Sequence, residues 1–340
     1  MMKRVSIKDV AREAGVSTAT VSYVLNDTPS QTISAETIQR VRDAVRKLNY
    51  VPNQAASSLK NKKTNLIGVV IPQTEPGKEF MFSNPFYGDL LSQIEYSARL
   101  CGYHILLTGT GDGESYINIA RNRGVDGIII VGAYPDAWLN ELHDLAIPVV
   151  LVDTYVKDPV YHTIGNDDRS GGRMATEYLI AKGHREIAFL GGRADEPGVV
   201  YKRFQGYQDA LAAAGLPLKE ENLFCGNISF DYAEEAAAEM VQSGRRVTAV
   251  FATADIMGMG MIRGLQKHGL RVPEDISVIG FDDVFLSRMS NPPMTTIHQD
   301  IRMKGKLAVQ YIMESLDGDE RKKENILPIS IVERESVRSI

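Results

Sequence analysis

Two cysteines in 340 residues, Cys101 and Cys225, exclude a disulfide framework. With no metal-ligand spacing around them, both are expected to be small buried hydrophobes in a reducing cytoplasm. The six histidines form no HxxxH or HxH pair, so no metal site is expected. No apolar run approaches the length of a membrane span. The N-terminus, MMKRVSIKDV, lacks the apolar segment of a secretory signal, and a cytoplasmic protein is expected. A nucleophile elbow and a phosphate-binding loop are also missing, which removes the usual marks of an enzyme on an α/β frame. The run GTGDG at 109–113 invites a nucleotide site, but it fits no G-x-G-x-x-G register and no acidic residue is placed to read a ribose. It is read as a strand-to-helix loop, and no cofactor is expected.

What is present is uneven. The composition, 44% hydrophobic and 24% charged, is that of a soluble globular protein. At 340 residues the chain exceeds one ordinary core, so a small domain beside a two-lobed body is expected. The net charge of -5 conceals an asymmetry. Residues 1–63 carry 11 Lys and Arg against 5 Asp and Glu, a net +6, which leaves -11 for residues 64–340. A cationic head on an acidic body is the distribution expected when one end meets a polyanion.

The head reads as helices. Ile7, Val10, Ala11 and Ala14 recur at i, i+3, i+4 and i+7. Gly15 and Val16 break that helix, and Ser17 is placed to cap a second one over Thr18 to Leu25. At about 100° per residue, Thr20, Val21, Val24 and Leu25 fall on one half of it, with Thr18, Ala19, Ser22 and Tyr23 on the other. Two short helices around a glycine turn have the helix-turn-helix spacing, whose second helix enters a DNA major groove. Ser34 caps a third helix with a stripe of Ile38, Val41, Val45 and Leu48. Pro52 ends it, and residues 54–59 form a further short helix too short to stand alone. Its lone apolar residue, Leu59, is suited to wedge into a base step from the minor groove.

From Asn65 onward, apolar runs alternate with helical patterns: LIGVVI (66–71), YHILLT (103–108), GIIIV (127–131), VVLVD (149–153), EIAFLG (186–191), TAVFAT (248–253) and SVIGF (277–281). Such runs mark parallel sheets covered on both faces. Seven of them divide best into two lobes, with a break near Thr163–Asp168 and a return near Asn291–Thr296, where NPPM (291–294) reads as a crossover. Ligands of open α/β sheets sit beyond the carboxyl ends of the strands. Asp153, Asp255 and Asp282 stand there, Arg203 is the obvious donor, and Phe86, after Pro85 at a helix start, can stack on a sugar face.

The chain also resembles the LacI/GalR family of bacterial transcriptional regulators over nearly its whole length. The matching runs are IKDVAREAGVSTATVSYVLN, TIQRVRDAVRKLNYVPNQAASSLK, IGVVIP, VDGIII, GHREIAFLGG, RFQGYQDAL, TAVFATAD, VPEDISVIGFDD and PPMTTIHQD. The resemblance implies a homodimeric repressor with an N-terminal three-helix helix-turn-helix domain, a hinge helix and a two-lobed periplasmic-binding-protein-like core of parallel sheets. It implies DNA contacts at Ser17, Thr18, Ala19, Thr20, Ser22, Tyr23 and Asn26 in the head, and at Asn53, Ala56 and Leu59 in the hinge. It implies effector contacts at Phe86, Asp153, Arg203, Asp255, Asp282 and Gln299. Tyr23 departs from the Arg often found at its position, and Ala254 from an Asn. The segment between GTGDG and RGVDGIII is shorter than relatives usually have, so a truncated helix is expected there.

The expected domains are 1–50 for DNA binding, 51–63 for the hinge, and 64–340 for effector binding and dimerisation. Within the last, the first lobe is about 64–163 with 294–325, and the second about 164–291 with 326–340. The expected function is a DNA-binding regulator, a repressor of carbohydrate genes, reading a pseudo-palindromic operator under control of a sugar-type effector. A phosphorylated carrier protein or a purine as the controlling partner stays open. A sugar receptor without DNA function is disfavoured by the head. No membrane partner is expected. A dimer and not a tetramer is expected, because VERESVRSI is followed by no Leu heptad. IMGMGMIRGLQKHG (256–269) is read as either a dimer face or an ordinary lobe helix. Removing Arg203 or Asp282 is expected to abolish the ligand response and leave ligand-free operator binding nearly intact.

Overall fold

The computed structural model describes residues 5–25, 33–51, 63–72, 81–110, 124–132, 142–143, 145–155, 158, 160–192 and 198–340. The chain divides into two compact units, Met1–Thr64 and Asn65–Ile340.

In the first unit, α1 (Ile7–Ala14) is closed at its start by Asp9, whose Oδ2 accepts from the Ser6 backbone N–H at 3.0 Å and the Ser6 hydroxyl at 2.6 Å. Gly15, at φ 66°, ends the helix in the left-handed region that glycine adopts without strain. Ser17 Oγ accepts from the Thr20 N–H at 3.0 Å and starts α2 (Thr18–Leu25). Ser34 does the same for Thr37 at 3.3 Å and starts α3 (Ala35–Lys47). Val10, Ala11, Ala14, Val21, Val24, Val41 and Ala44 form the core, with Ile38, Val45 and Leu48 packed against it. The core is small because its residues are small.

The second unit contains two six-stranded sheets. The first is wholly parallel. It is ordered β11-β5-β4-β3-β1-β2, formed by β1 (Leu66–Pro72), β2 (His104–Thr110), β3 (Gly127–Val131), β4 (Val149–Val152), β5 (His162–Asn166) and β11 (Glu324–Leu327). The second is ordered β12-β10-β9-β8-β6-β7, formed by β6 (Ile187–Gly191), β7 (Leu223–Cys225), β8 (Ala249–Ala252), β9 (Ser277–Asp282), β10 (Thr295–Gln299) and β12 (Ile329–Val332). Only β12 in that sheet runs antiparallel, against β10. β3, β4, β6, β8 and β9 are buried at every position, as expected of strands covered on both faces.

The connections correct the sequence reading of the lobes. The chain leaves the first sheet after Asn166, returns after Gln299, and crosses again between Leu327 and Ile329. Residues 295–299 therefore belong to the second lobe, and 164–166 and 326–327 to the first. NPPM is not a crossover. Met294 is buried in the second lobe's core, and β10 pairs in parallel with β9 immediately after it. A proline pair ends regular structure in either case, so composition could not place the crossing.

Helices cover the sheets. In the first lobe these include α4 (Pro85–Leu100), begun by Asn84 accepting from the Phe86 N–H at 3.0 Å, and α9 (Ile301–Leu316). The second lobe has α5 (Asp168–Ala181), α6 (Val199–Ala213), α7 (Phe230–Gln242) and α8 (Asp255–Lys267). α5 and α6 touch backbone to backbone: a Cβ on Gly172 would stand 2.1 Å from the Arg203 carbonyl oxygen, and one on Gly206 would stand 2.0 Å from that of Arg169. The α8 segment packs one face into the second lobe. Its Met257, Met261 and Leu265 are buried, and Gly260 and Gly264 abut Phe230 and Ala237 of α7.

Two further expectations change. Cys101 and Cys225 are exposed, because Cys101 caps α4 and Cys225 ends the edge strand β7. The hinge, with Asn53, Ala56 and Leu59, lies outside the described residues, as do Asn26 and the segment following GTG at 109–111. No described helix is long and apolar enough to cross a membrane.

Candidate functional site

In the first unit, α2 turns Val21 and Val24 inward, which leaves Thr18 and Ala19 exposed and Ser22 and Tyr23 half-buried. Ser17 and Thr20 are occupied with each other at 2.9 Å as the cap of the same helix. Lys8, Arg12, Arg40, Arg42, Arg46 and Lys47 are all exposed. An exposed short-side-chain helix face within a cationic domain is suited to a polyanionic groove.

In the second unit, three aspartates at strand ends have left-handed backbones: Asp153 (φ 52°) after β4, Asp282 (φ 122°) ending β9 and Asp283 (φ 58°). Such conformations in residues other than glycine are strained and cluster at functional sites. Two of the three sit on the two sides of one polar chain that joins the lobes.

In the second lobe, Arg203 on α6 is 6% exposed. Its Nε and Nη2 both lie 2.8 Å from Asp168 Oδ1, its Nη1 donates to the Thr253 carbonyl at 2.5 Å, and Asp282 Oδ1 is 3.7 Å from Nη1. The guanidinium carbon lies 3.5 Å from the centroid of the Phe281 ring. Asp168, the first residue of α5, also accepts from the Tyr155 hydroxyl of the first lobe at 2.6 Å. Burial and the Asp168 charge keep that phenol protonated. Asp282 Oδ1 accepts from Gln299 Nε2 at 2.6 Å. Burial pushes the Asp282 carboxyl up to about 6, opposed chiefly by the Arg203 charge.

The chain continues into the first lobe through Lys304, in the first turn of α9 and 1% exposed. Its ammonium donates to Gln299 Oε1 and, at 2.5 Å, to Asp153 Oδ1, and it lies 5.7 Å from the centroid of the Phe86 ring. Burial raises the Asp153 carboxyl, and Lys304 opposes that shift most strongly.

The structure thus brings Asp153, Arg203, Asp282, Gln299 and Phe86 into one neighbourhood. The Phe86 ring is 8% exposed and packs within the first lobe's core. Asp255 is placed differently. It is fully buried, its Oδ2 accepting from the Val284 N–H at 2.9 Å and its Oδ1 from the Thr296 hydroxyl at 2.5 Å. Burial and the nearby Asp282 charge raise its carboxyl well above the usual range. Both its oxygens brace the second lobe. Asp283 is held by Arg334 and, at 2.9 Å, by His298.

Sequence reasoning missed Lys304, Asp168 and Tyr155. One signal was present: Lys304 falls in register with Ile301, Ala308 and Ile312, on the buried face of its helix. A lysine there must be buried with a partner. Among the described residues no group of three or more His, Cys, Asp or Glu could hold a metal ion.

Residues 6–53 match the family described as bacterial regulatory proteins, lacI family, and residues 176–337 match the periplasmic binding protein-like domain. The HTH-type transcriptional repressor PurR of Vibrio atlanticus (strain LGP32) is 36% identical over 342 residues, covering 98% of this chain and 99% of that protein. The crystal structure of the lac repressor dimer bound to operator and the anti-inducer ONPF superposes with a TM-score of 0.85 at 28% identity, covering 99% of this chain and 100% of that one. A transcriptional regulator CelR–cellobiose complex is similar with a TM-score of 0.70 at 30% identity, covering 98% and 100%.

Proposed function

The chain belongs to the LacI family of bacterial DNA-binding transcriptional repressors, and on that premise we propose that a sugar or sugar derivative bound between its lobes controls its hold on the operator. The single observation that carries this reading is the polar chain Tyr155–Asp168–Arg203–Asp282–Gln299–Lys304–Asp153, which ties the two sheets together through buried groups. A ligand entering there exchanges internal contacts for its own and so binds one lobe arrangement better than another. Only such a difference moves a conformational equilibrium. The resulting coupling, typically about 1–3 kcal/mol, is reciprocal: operator DNA changes ligand affinity by the same factor as ligand changes operator affinity. The similarity to a regulator in complex with cellobiose supports a sugar. A purine is the second reading, favoured by relatives that carry the name PurR. The protein acts as a homodimer, since two heads read two half-sites of a pseudo-palindromic operator.

The test is an operator titration with and without sugars, headed by cellobiose, and with purine bases in parallel. A sugar that shifts the operator midpoint at least fivefold supports the reading. A shift by a purine alone replaces it with the second.

Base reading lies with Thr18, Ala19 and Tyr23 on the outer face of α2. A tyrosine offers one hydrogen bond and an apolar edge, not the bidentate pair an arginine makes to guanine. Tyr23→Arg is expected to change the base preferred at one operator position by about 1–3 kcal/mol without loss of folding. An unchanged preference in a randomised-operator selection removes Tyr23 from the readout.

A further inference from the structure

Lys304 stands out because nothing about its helix asks for a charge. The position lies on a stripe with Ile301, Ala308 and Ile312, where an unbranched apolar residue of the same length would pack without burying an ammonium. It also lies in the first turn of a helix, the end that disfavours cations. Yet the ammonium reaches three of the residues gathered in the cleft: Asp153, Gln299 and the ring of Phe86.

Its contacts decide what the cleft still offers a ligand. Lys304 gives one N–H to Asp153 and one to Gln299, and the third has no acceptor among the described residues. Gln299, held by its carbonyl, presents its amide nitrogen to Asp282. Arg203 is held by Asp168 through Nε and Nη2 and by the Thr253 carbonyl through Nη1. Both buried cations are therefore matched by a carboxylate within 2.8 Å, and Asp282 remains as an excess acid with Arg203 no nearer than 3.7 Å. No described residue donates to Asp153 Oδ2. Among the described residues the site is thus rich in acceptors and anionic on balance.

We propose that Lys304 sets the ligand class of this cleft: an uncharged, hydroxyl-rich molecule that accepts from its remaining N–H and donates to Asp153 and Asp282, in preference to a phosphorylated or carboxylated one. This rests on the reading of the cleft as an effector site for a sugar and narrows it. Hydroxyls serve as donor and acceptor at once and fit a site that sets N–H groups beside two carboxylates. An anionic substituent would meet the surplus charge with both cations already committed, in a low-dielectric interior where like charges repel strongly.

The experiment uses the full chain and reads binding by thermal shift and calorimetric titration. The probes are uncharged mono- and disaccharides, including cellobiose and ribose, the phosphate esters of the same sugars, and purine bases. An uncharged sugar is expected to bind the parent at least tenfold more tightly than its ester. Lys304→Met is expected to lose at least tenfold of that affinity. Because Lys304→Met leaves Asp153 buried without its cation, the pair variant Asp153→Asn/Lys304→Met is measured beside it. It removes both charges together and is expected to fold and to show the same loss. An ester that binds as tightly as its sugar overturns the proposal and leaves the sugar reading standing. So does Lys304→Met or the pair variant binding at the parent's affinity. A purine as the only binder, or no binder in the panel, overturns the sugar reading and the polyol class together.

Discussion

Operator affinity is expected to fall by about 10³- to 10⁵-fold between about 50 and 200 mM salt, the loss that accompanies roughly 6–10 phosphate contacts. The cause is the composition of the head: net +6 over residues 1–63, with Lys8, Arg12, Arg40, Arg42, Arg46 and Lys47 all exposed. Each phosphate neutralised releases a condensed counterion, so log K falls against log[salt] with a slope of about -0.9 per contact. Several of these cations are paired on the surface: Arg12 with Asp9 at 3.4 Å, Arg46 with Asp43 at 2.7 Å, and Lys47 with Glu13 at 2.6 Å. Exposed pairs of this kind are worth little and yield readily to a phosphate. Two heads of the proposed homodimer supply the number of contacts. Fluorescence anisotropy on a labelled operator across that salt range measures the slope. A nearly flat response would mean that the head does not meet the phosphate backbone.

Arg203→Met is expected to destabilise the second unit by about 3–5 kcal/mol, the loss found when one partner of a buried ion pair is removed. The sequence alone suggested a dispensable binding residue, whose removal would spare ligand-free operator binding. The structure gives it a second role. Without the guanidinium, Asp168 is left at 2% exposure with the Tyr155 hydroxyl as its one side-chain partner among the described residues, and the face of Phe281 loses its cover. Operator binding then suffers through the folded fraction. Arg203→Met/Asp168→Asn removes both charges and is expected to recover most of the stability and none of the ligand response. Urea unfolding distinguishes the two variants: equal stabilities for single and double variants would show that the pair does not carry the cost.

The same change has a pH signature. In the parent, the Asp282 carboxyl titrates at about 6, above the unfolded value of about 3.9. The native state therefore holds that proton more tightly. Its contribution to stability is complete below about pH 4 and is lost as pH rises through about 6. Removing Arg203, the main charge that lowers the Asp282 carboxyl, extends the loss to higher pH. Unfolding midpoints between pH 4 and 8 that run parallel in parent and variant would separate Arg203 from Asp282.

The helices of the head and the strands buried on both faces were legible in the sequence because each is a local pattern. Val10, Ala11 and Ala14 repeat with the helix period, Ser17 and Ser34 mark helix starts, and runs such as GIIIV and SVIGF are long enough to declare a covered strand. The strands β5, β7, β10, β11 and β12 were not legible. They are three to five residues long and carry polar residues such as His162, Asn166, His298 and Gln299, so they become strands only when a neighbour supplies the ladder. The lobe crossings belong with them, since a segment's sheet is decided by its partner and not by its own composition. The strand-end acids and Arg203 could be named from the sequence, but their states could not. Asp255 and Asp282 are both buried aspartates near α8, yet Thr296 and Val284 engage Asp255 while Gln299 and Arg203 face Asp282. Lys304 and Asp153 are 151 positions apart, and so are Lys182 and Glu333, one pair buried in the cleft and the other on the surface. Only the packing of α9 against β4, which takes the Lys304 ammonium out of water, makes the first pair part of the site.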